Sequence, residues 1–388
     1  MASSVFDSNE MGLPVPDADA LAHSERLARV IHARIASNVD RSISFADFMR
    51  AALYEPALGY YAAGATKLGV AGDFVTAPEL SPLFGAVFAN AFRDVAANGV
   101  IELGAGSGAL AASFLDAFPE CDYKILEVSA DLRERQALRL RGRNIAWLDA
   151  LPERITGLVI ASEVLDAVPC EVVRFHGLHY EQARVKVRDD AFVFDWLPLL
   201  DGALLAAAKH RVPPIEGYVS EINLEAEALV ATLADRVRVR IDESAGGALC
   251  FIDYGFPRRE FYMPDRERGT LACHYRHRVH FDPLILLGLQ DITAHVDYTA
   301  IAESAVDAGL QVIAYTSQAK FLLHAGILRQ LETATFPNDA ARIVATGAVQ
   351  KLLSPSEMGE LFKVLIVGKG AALDSLASMV DIDQSFRL

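Results

Sequence analysis

The stretch VIELGAGSGAL (100–110) places three glycines, Gly104, Gly106 and Gly108, between an apolar run and an alanine-rich segment. Glycine has no Cβ and accepts positive φ, so such a turn lets a ligand lie against bare backbone. The turn, with Ala105 inside it, is therefore a candidate cofactor loop. Its order of strand, glycines and helix suits either a dinucleotide pyrophosphate or a cofactor without phosphates.

Acidic residues stand at the ends of the predicted strands around this turn. Glu102 lies inside the first strand, Glu127 ends the second, and Asp149 ends the third. An acid at the end of the second strand can accept both hydroxyls of a ribose. We expect Asp149 to accept from the exocyclic amine of an adenine. Glu163 and Asp166 follow the fourth strand, at the edge of the sheet where substrates bind.

These charges separate two classes of cofactor. Acids near the turn would repel a diphosphate, which disfavours NAD. S-adenosylmethionine carries a sulfonium, an ammonium and a single carboxylate, so its charges suit an acidic crevice. The sequence therefore favours S-adenosylmethionine as the cofactor, and an NAD-dependent oxidoreductase is the alternative enzyme class.

The elements that must position these residues follow an alternating pattern. Short apolar runs at 99–103, 123–128, 144–150 and 157–162 predict parallel strands, with helical segments between them. Such alternation predicts an α/β fold with a Rossmann-like doubly wound sheet and helices on both faces. Period-two alternation over 171–199 predicts an antiparallel meander inserted after the fourth strand.

The predicted organisation divides the chain into six segments. We expect a disordered tail over 1–20, N-terminal helices and a cofactor-covering loop over 21–98, a cofactor-binding core over 99–170, an inserted meander with helices over 171–246, the rest of the core sheet over 247–370 with a substrate-side loop at 256–298, and a C-terminal tail over 371–388.

Composition narrows the class of protein. The 388 residues include 51 acidic and 36 basic side chains, a net charge of −15, which disfavours a nucleic-acid partner. No apolar run reaches the length of about 18 residues that predicts a membrane span. Four cysteines without CxxC or metal-type spacing predict reduced thiols and no metal site. With no presequence apparent in the first residues, a cytoplasmic location is expected, and the oligomeric state stays open.

Six motifs in chain order resemble one family, the MidA-like class I methyltransferases, which includes the mitochondrial complex I assembly factor that methylates arginine. The similarity extends from about residue 43 to residue 369. The motifs are GDFVTAPELSPLFG (72–85), VIELGAGSGAL (100–110), ASEVLDAVPCE (161–171), FIDYGF (251–256), QDITAHVDY (290–298) and GELFKVLIVGK (359–369).

The resemblance implies S-adenosylmethionine as cofactor, with the glycine turn and Glu127 as contacts. It also implies that the 72–79 loop closes over the cofactor and brings Thr76, Pro78 and Glu79 nearest to it. The implied acceptor is a protein that carries an arginine, with a respiratory-complex subunit among the acceptors that the family suggests. Ser162 stands where the family pattern has asparagine, which bears on the substrate pocket.

An arginine acceptor sets a chemical requirement, because its guanidinium stays protonated at neutral pH. A carboxylate can hold two N–H donors of that group and later accept the proton that leaves. Glu163 and Asp166 are predicted to form this clamp, with Glu79 as a third catalytic candidate. Asp253 either lines the crevice or caps the turn after its strand. A non-catalytic assembly factor that binds S-adenosylmethionine, and a small-molecule methyltransferase, remain alternatives.

Overall fold

The computed structural model describes residues 12–63, 76–238 and 246–388. These residues form two compact units. Of the described residues, the accessory unit comprises 12–63, 167–226 and 258–295, and the core unit comprises 76–166, 227–238, 246–257 and 296–388.

The helices are numbered in chain order. They are α1 (Ala18–Ser37), α2 (Phe45–Tyr54), α3 (Ala77–Leu80), α4 (Pro82–Ala91), α5 (Arg93–Ala96), α6 (Ala109–Ala117), α7 (Ala130–Arg139), α8 (Gly202–Arg211), α9 (Leu224–Arg236), α10 (Arg258–Phe261), α11 (Tyr298–Asp307), α12 (Gln318–His324), α13 (Ile327–Thr333), α14 (Asp339–Leu353) and α15 (Ala371–Ser375), followed by 3-10 turns at Ala377–Ile382 and Ser385–Arg387.

The strands are numbered in the same way. They are β1 (Ser42–Ser44), β2 (Val100–Leu103), β3 (Tyr123–Leu126), β4 (Ile145–Leu148), β5 (Gly157–Ser162), β6 (Glu171–His176), β7 (His179–Arg188), β8 (Ala191–Pro198), β9 (Val219–Ile222), β10 (Gly247–Phe256), β11 (Ala272–Tyr275), β12 (Arg278–His280), β13 (Asp291–Thr293), β14 (Val296–Asp297), β15 (Gln311–Ser317) and β16 (Phe362–Lys369).

The core unit is built on one mixed sheet in the order β15-β16-β10-β5-β2-β3-β4, with β14 added beside the end of β10. The strands from β4 to β10 are parallel. Strand β16 runs antiparallel to both of its neighbours, β10 and β15, so β15 has the same direction as β10. The predicted α/β fold and its four parallel strands are confirmed. Because β3 and β5 flank β2 on opposite sides, the strand order reverses there, and a crevice opens at the carboxyl ends of such strands.

Burial explains why these runs become strands of a covered sheet. All residues of β2, and all of β5 except Ser162, are buried, as expected of parallel strands packed on both faces. On α4, the four-residue spacing of Phe84 and Phe88 places both rings on one face. Phe88 stacks on Phe84 at 4.7 Å between ring centroids and lies 4.8 Å from Phe321 of α12.

The accessory unit contains the predicted meander. Strands β6, β7 and β8 pair antiparallel, and β9 and β1 extend the sheet. Both hairpins have two-residue turns with positive φ throughout, at Gly177-Leu178 and at Asp189-Asp190. Two-residue turns with positive φ match the right-handed twist of the flanking strands. This explains why the alternation of apolar residues is interrupted at these positions. A second sheet, in the order β12-β11-β13, occupies part of the expected 256–298 loop.

Both predicted tails differ from the structure. Helix α1 begins at Ala18, capped by the carboxylate of Asp17, and Leu13 before it is buried. At the other end, α15 and the turn after it bury Leu376 and Met379. At the C-terminal end the buried residues Ala372, Leu376 and Met379 are spaced four and three residues apart, as on one face of a helix. At the N-terminal end Leu13 is a single buried apolar residue before α1 and gives no such pattern. Residues 1–11 and 64–75 lie outside the described residues, and the second range includes the first four positions of the 72–79 loop.

No helix in the described part of the chain is long and apolar enough to cross a membrane. Within the same residues, no group of three or more histidine, cysteine or acidic side chains is arranged to hold a metal ion.

The aromatic cluster gives a stability prediction. Replacing Phe88 by alanine should lower the free energy of unfolding by about 3–5 kcal/mol, because the ring is fully buried and its removal leaves a cavity. Urea unfolding followed by circular dichroism measures the loss. Phe386→Ala is the matched control, since that ring is 84% exposed and should change the value by less than about 0.5 kcal/mol. Equal losses in the two variants would contradict this assignment of the core.

Candidate active site

The glycine turn between β2 and α6 requires its glycines. Gly104, Gly106 and Gly108 have φ values of +58°, +53° and +80°, in the region that side chains with a Cβ rarely adopt. The N–H of Gly104 donates to the carbonyl of Leu126 at 3.0 Å, which ties the turn to the end of β3. A Cβ at Gly104 would lie 3.2 Å from Val164 Cγ2. Gly104 therefore has no side chain on the side where the turn after β5 approaches it, and Ala105 is buried.

Glu102 precedes this turn, and its charge state differs from the anion that the sequence predicts. Its side chain is buried, and the hydroxyl of Tyr123 donates to it at 2.8 Å. Burial, and to a smaller extent the charge of Glu127, raises the pKa of Glu102 to about 8, against the hydrogen bond from Tyr123. The group is therefore mainly protonated at neutral pH and supports the turn as a hydrogen-bonded acid.

The carboxylate of Glu127 is buried at the end of β3 and held through both oxygens. The N–H of Ser129 donates to one oxygen at 2.9 Å, and Gln136 Nε2 of α7 donates to the other at 3.0 Å. The same Gln136 Nε2 donates to the carbonyl of Gly106 at 2.8 Å. Burial raises the pKa of Glu127, while these hydrogen bonds favour its ionised form. The N–H of Val128 also acts on this carboxylate. A carboxylate accepts about four hydrogen bonds, so a ligand hydroxyl can still donate to Glu127.

Asp149 follows β4 as predicted, but its side chain points into solvent. The side chain is 89% exposed and pairs with Arg133 at 2.8 Å. The structure does not bring it together with the buried acids of the site. A strand end fixes where a residue stands, whereas the direction of an exposed side chain depends on its neighbours.

Asp253, near the end of β10, organises the turn that follows β5. Its Oδ2 accepts from the backbone N–H groups of Val164, Leu165 and Asp166 at 3.1, 2.9 and 3.2 Å. Its Oδ1 accepts from the N–H of Tyr254 at 2.9 Å. Asp253 therefore caps a turn, which is one of its two predicted roles. The turn is the one that follows β5, however, and not the one that follows its own strand.

The turn held by Asp253 carries the two predicted clamp residues. Glu163 has a φ of +56°, which is uncommon for a residue with a side chain. Its N–H donates to the carbonyl of Ile252 at 2.8 Å, and its Oε1 accepts from the N–H of Ala77 at 3.3 Å. Burial, then the charge of Glu163, raises the pKa of Asp253 to about 8, against its backbone donors. Asp166 is buried at the end of the turn.

Glu79 lies on α3, which Thr76 precedes as the capping residue and in which Pro78 occupies the first turn. Its carboxylate accepts from Arg139 of α7 at 2.7 Å and from the hydroxyl of Ser107 in the glycine turn. Burial raises the pKa of Glu79, but hydrogen bonds from Arg139 and Ser107 outweigh this effect and lower it. This acid therefore connects α3 to the glycine turn, and its charge is already matched by a cation.

Sequence reasoning missed three polar side chains of this site, namely Gln136, Arg139 and Ser107. Gln136 had a signal, because it stands four residues from both Leu132 and Leu140, on the apolar face of a charged helix. No feature of the sequence distinguishes Arg139 from the other basic residues of α7. Ser107 was visible in the turn, but glycine spacing alone assigns it no partner.

The buried acid before the turn gives a prediction on pH. An ordinary glutamic acid loses its proton near 4.5, so between that pH and about 8 the unfolded chain releases a proton that folded Glu102 keeps. This contribution to the free energy of unfolding therefore falls as pH rises. Glu102→Gln should reduce the fall between pH 5.5 and 8 by up to about 3 kcal/mol, at about 1.4 kcal/mol for each pKa unit.

Urea unfolding at the two pH values measures this difference, with the exposed Glu120→Gln as control. The same pH dependence in the wild type and in Glu102→Gln would contradict the assignment of a protonated acid at this position.

Comparison with known proteins gives the site a context. Residues 83–316 match the model of a family described as "Putative S-adenosyl-L-methionine-dependent methyltransferase". A crystal structure from Burkholderia thailandensis, determined with S-adenosyl-homocysteine bound, is 43% identical with a TM-score of 0.89. The match covers 97% of this chain and 100% of that one.

Curated relatives are more distant in sequence. The Danio rerio protein named "Protein arginine methyltransferase NDUFAF7, mitochondrial" is 28% identical over 378 residues, which cover 85% of this chain and 84% of the relative. The Homo sapiens protein of the same name is 27% identical over 370 residues, covering 82% and 78%.

The residues around the glycine turn fit the cofactor of that family. The turn has no side chain at its three glycines, and the buried Glu127 can accept from a ligand hydroxyl. A family model matched over more than half of the chain, and a 43% identical structure spanning nearly all of it, agree with this geometry. The chain therefore belongs to the MidA-like family of S-adenosylmethionine-dependent methyltransferases.

Proposed function

We propose that this methyltransferase acts on the guanidinium group of an arginine in a protein acceptor. The observation that carries the proposal is the group of acids at the carboxyl ends of β5 and β10, formed by Glu163, Asp166 and Asp253. The names of the Danio rerio and Homo sapiens relatives support the same acceptor class. A respiratory-complex subunit as the acceptor, and a cytoplasmic location, stay predictions from the sequence.

The cofactor would be held by the glycine turn and Glu127, and it supplies a methyl group activated by its sulfonium. Methyl transfer is an in-line displacement, so the protein has to align the acceptor nitrogen and exclude water. Arginine adds a further demand, because its pKa above about 12 keeps every nitrogen engaged in the protonated guanidinium. A nearby carboxylate can orient that group and accept the proton released on transfer.

Electrostatics at the turn after β5 favour a cationic acceptor. Burial first, and then the charge of Glu163, raise the pKa of both Asp253 and Tyr254. Like charges at short range disfavour one another's ionised forms. A guanidinium placed beside Glu163 would relieve this repulsion, and its planar donors match a carboxylate in a two-point contact.

The structure ranks the three predicted catalytic acids. Glu79 is the weakest candidate, since Arg139 already occupies its carboxylate. Asp166 is buried, and its backbone is fixed by Asp253. Glu163 is only partly buried, stands on a turn with fixed backbone, and has one oxygen placed by the N–H of Ala77. We therefore assign the main contact with the acceptor to Glu163.

This assignment predicts the outcome of Glu163→Gln. The amide keeps the size of the side chain but loses the charge, so methylation of arginine-containing peptides should fall by about 100-fold or more. Binding of S-adenosyl-homocysteine, measured by calorimetry, should change by less than about 3-fold. Peptide methylation is read by mass spectrometry after proteolysis, with the exposed Glu332→Gln of α13 as matched control.

Unchanged methylation by Glu163→Gln with intact cofactor binding would contradict the role of this carboxylate. Methyl transfer to lysine, with no methylarginine detected in the products of the wild type, would contradict the acceptor class.

The glycine turn gives a separate prediction on the cofactor. Gly104→Val places a β-branched residue at φ +58° and a Cβ 3.2 Å from Val164, so binding of S-adenosyl-homocysteine should weaken by at least about 30-fold. Gly309→Val is the matched control, because Gly309 also has a positive φ but no atom near its missing Cβ. It should lose stability and keep its affinity. Loss of affinity in both variants would mean that backbone strain acts through the fold as a whole.

A further inference from the structure

Gln136 is a neutral amide buried in the middle of a charged helix, and it contacts three separate elements. Nε2 donates to Glu127 at the end of β3 and to Gly106 in the glycine turn, while Oε1 accepts from Trp147 Nε1 of β4 at 2.9 Å. The side chain is wholly inaccessible to solvent. Both of its N–H donors and its carbonyl oxygen are therefore engaged.

The orientation of this amide follows from the chemistry of its neighbours. An indole N–H can only donate, so the atom of Gln136 that faces Trp147 must be the oxygen. The NH₂ group is then directed to Glu127 and Gly106, which both present acceptor oxygens. A flipped amide would place a donor against the indole N–H and an acceptor against two acceptors, so the network permits one orientation.

We propose that Gln136 is a positioning residue for the cofactor, which fixes the carboxylate of Glu127 and the carbonyl of Gly106 relative to each other. The inference rests on Glu127 as the acid that holds the ribose, and it does not depend on the identity of the methyl acceptor. Trp147 takes part indirectly, because its N–H sets the orientation of the amide.

The choice of an amide has a physical reason. A lysine or arginine at this position would form an ion pair with Glu127 and compete with a ligand for its charge. The amide supplies one hydrogen bond to one oxygen of Glu127 and leaves the charge and further lone pairs available. Without it, Glu127 keeps only the donors of the neighbouring backbone, from Val128 and Ser129, and loses its hydrogen bond to α7. The carboxylate then gains freedom that binding must remove.

The first test is Gln136→Leu, which removes both donors and keeps much of the volume. The dissociation constant for S-adenosyl-homocysteine, measured by calorimetry on the full chain, should rise by about 10- to 100-fold. KM for S-adenosylmethionine should rise with it, while kcat changes by less than about 2-fold. Gln318→Leu is the matched control, since Gln318 is an equally buried amide that donates to Leu352 on another part of the core unit. It should lower the melting temperature and leave the affinity unchanged.

A second variant, Gln136→Glu, separates positioning from packing through pH. Two carboxylates would then face each other, so one holds a proton at low pH and both repel when ionised. The affinity of this variant for S-adenosyl-homocysteine should improve by several-fold, roughly 3 to 10, from pH 8 to pH 6. The wild type should change less over the same range.

Coupling to Glu127 is tested by the double variant. If Gln136 acts through Glu127, Glu127→Gln with Gln136→Leu should bind S-adenosyl-homocysteine within about 2-fold of Glu127→Gln alone. Should Gln136→Leu fail to fold, Trp147→Phe replaces it and should weaken binding by about 3- to 10-fold. Affinities of the folded single variants within about 2-fold of the wild type, or fully additive losses, would overturn the proposal.

Discussion

The carboxylate of Asp253 binds the backbone of the turn after β5, and the reacting edge of the sheet depends on that contact. Three consecutive N–H groups, from Val164 to Asp166, converge on one oxygen within 3.2 Å. Backbone donors at the end of a strand have no partner in the ladder, so a buried acid on the neighbouring strand satisfies them. The turn can then hold Glu163 at φ +56°, a conformation that needs support from its surroundings.

Buried acids also lie toward the carboxyl ends of three parallel strands of the core sheet, β2, β3 and β10. Burial disfavours every charge there, and Glu102, Glu127 and Asp253 all have a raised pKa. Hydrogen bonds oppose the effect of burial at each acid. Tyr123 donates to Glu102, Ser129 and Gln136 donate to Glu127, and backbone N–H groups donate to Asp253. A site built in this way suits a cofactor and an acceptor that bring positive charge, and it is unsuited to a diphosphate.

The strands and the glycine turn were predictable because their physical signals are local. Buried parallel strands require continuous apolar runs, and the backbone of the turn requires glycine at 104, 106 and 108. Side-chain direction depends on distant partners and was not predictable. Asp149 points to solvent, and Glu102 is a buried acid where the sequence suggested an anion facing the ligand. Gln136 shares one face of α7 with leucines, and no local signal shows that its partners are Glu127, Gly106 and Trp147.

We conclude that this site binds a cationic nucleoside cofactor and no dinucleotide, a claim that one titration tests directly. The purified chain is titrated by calorimetry with S-adenosylmethionine, S-adenosyl-homocysteine and NAD under the same conditions. We expect dissociation constants in the range of about 1–100 μM for the two methyl-transfer ligands, and no detectable heat from NAD. Binding of NAD with no response to either of the other two would contradict this claim.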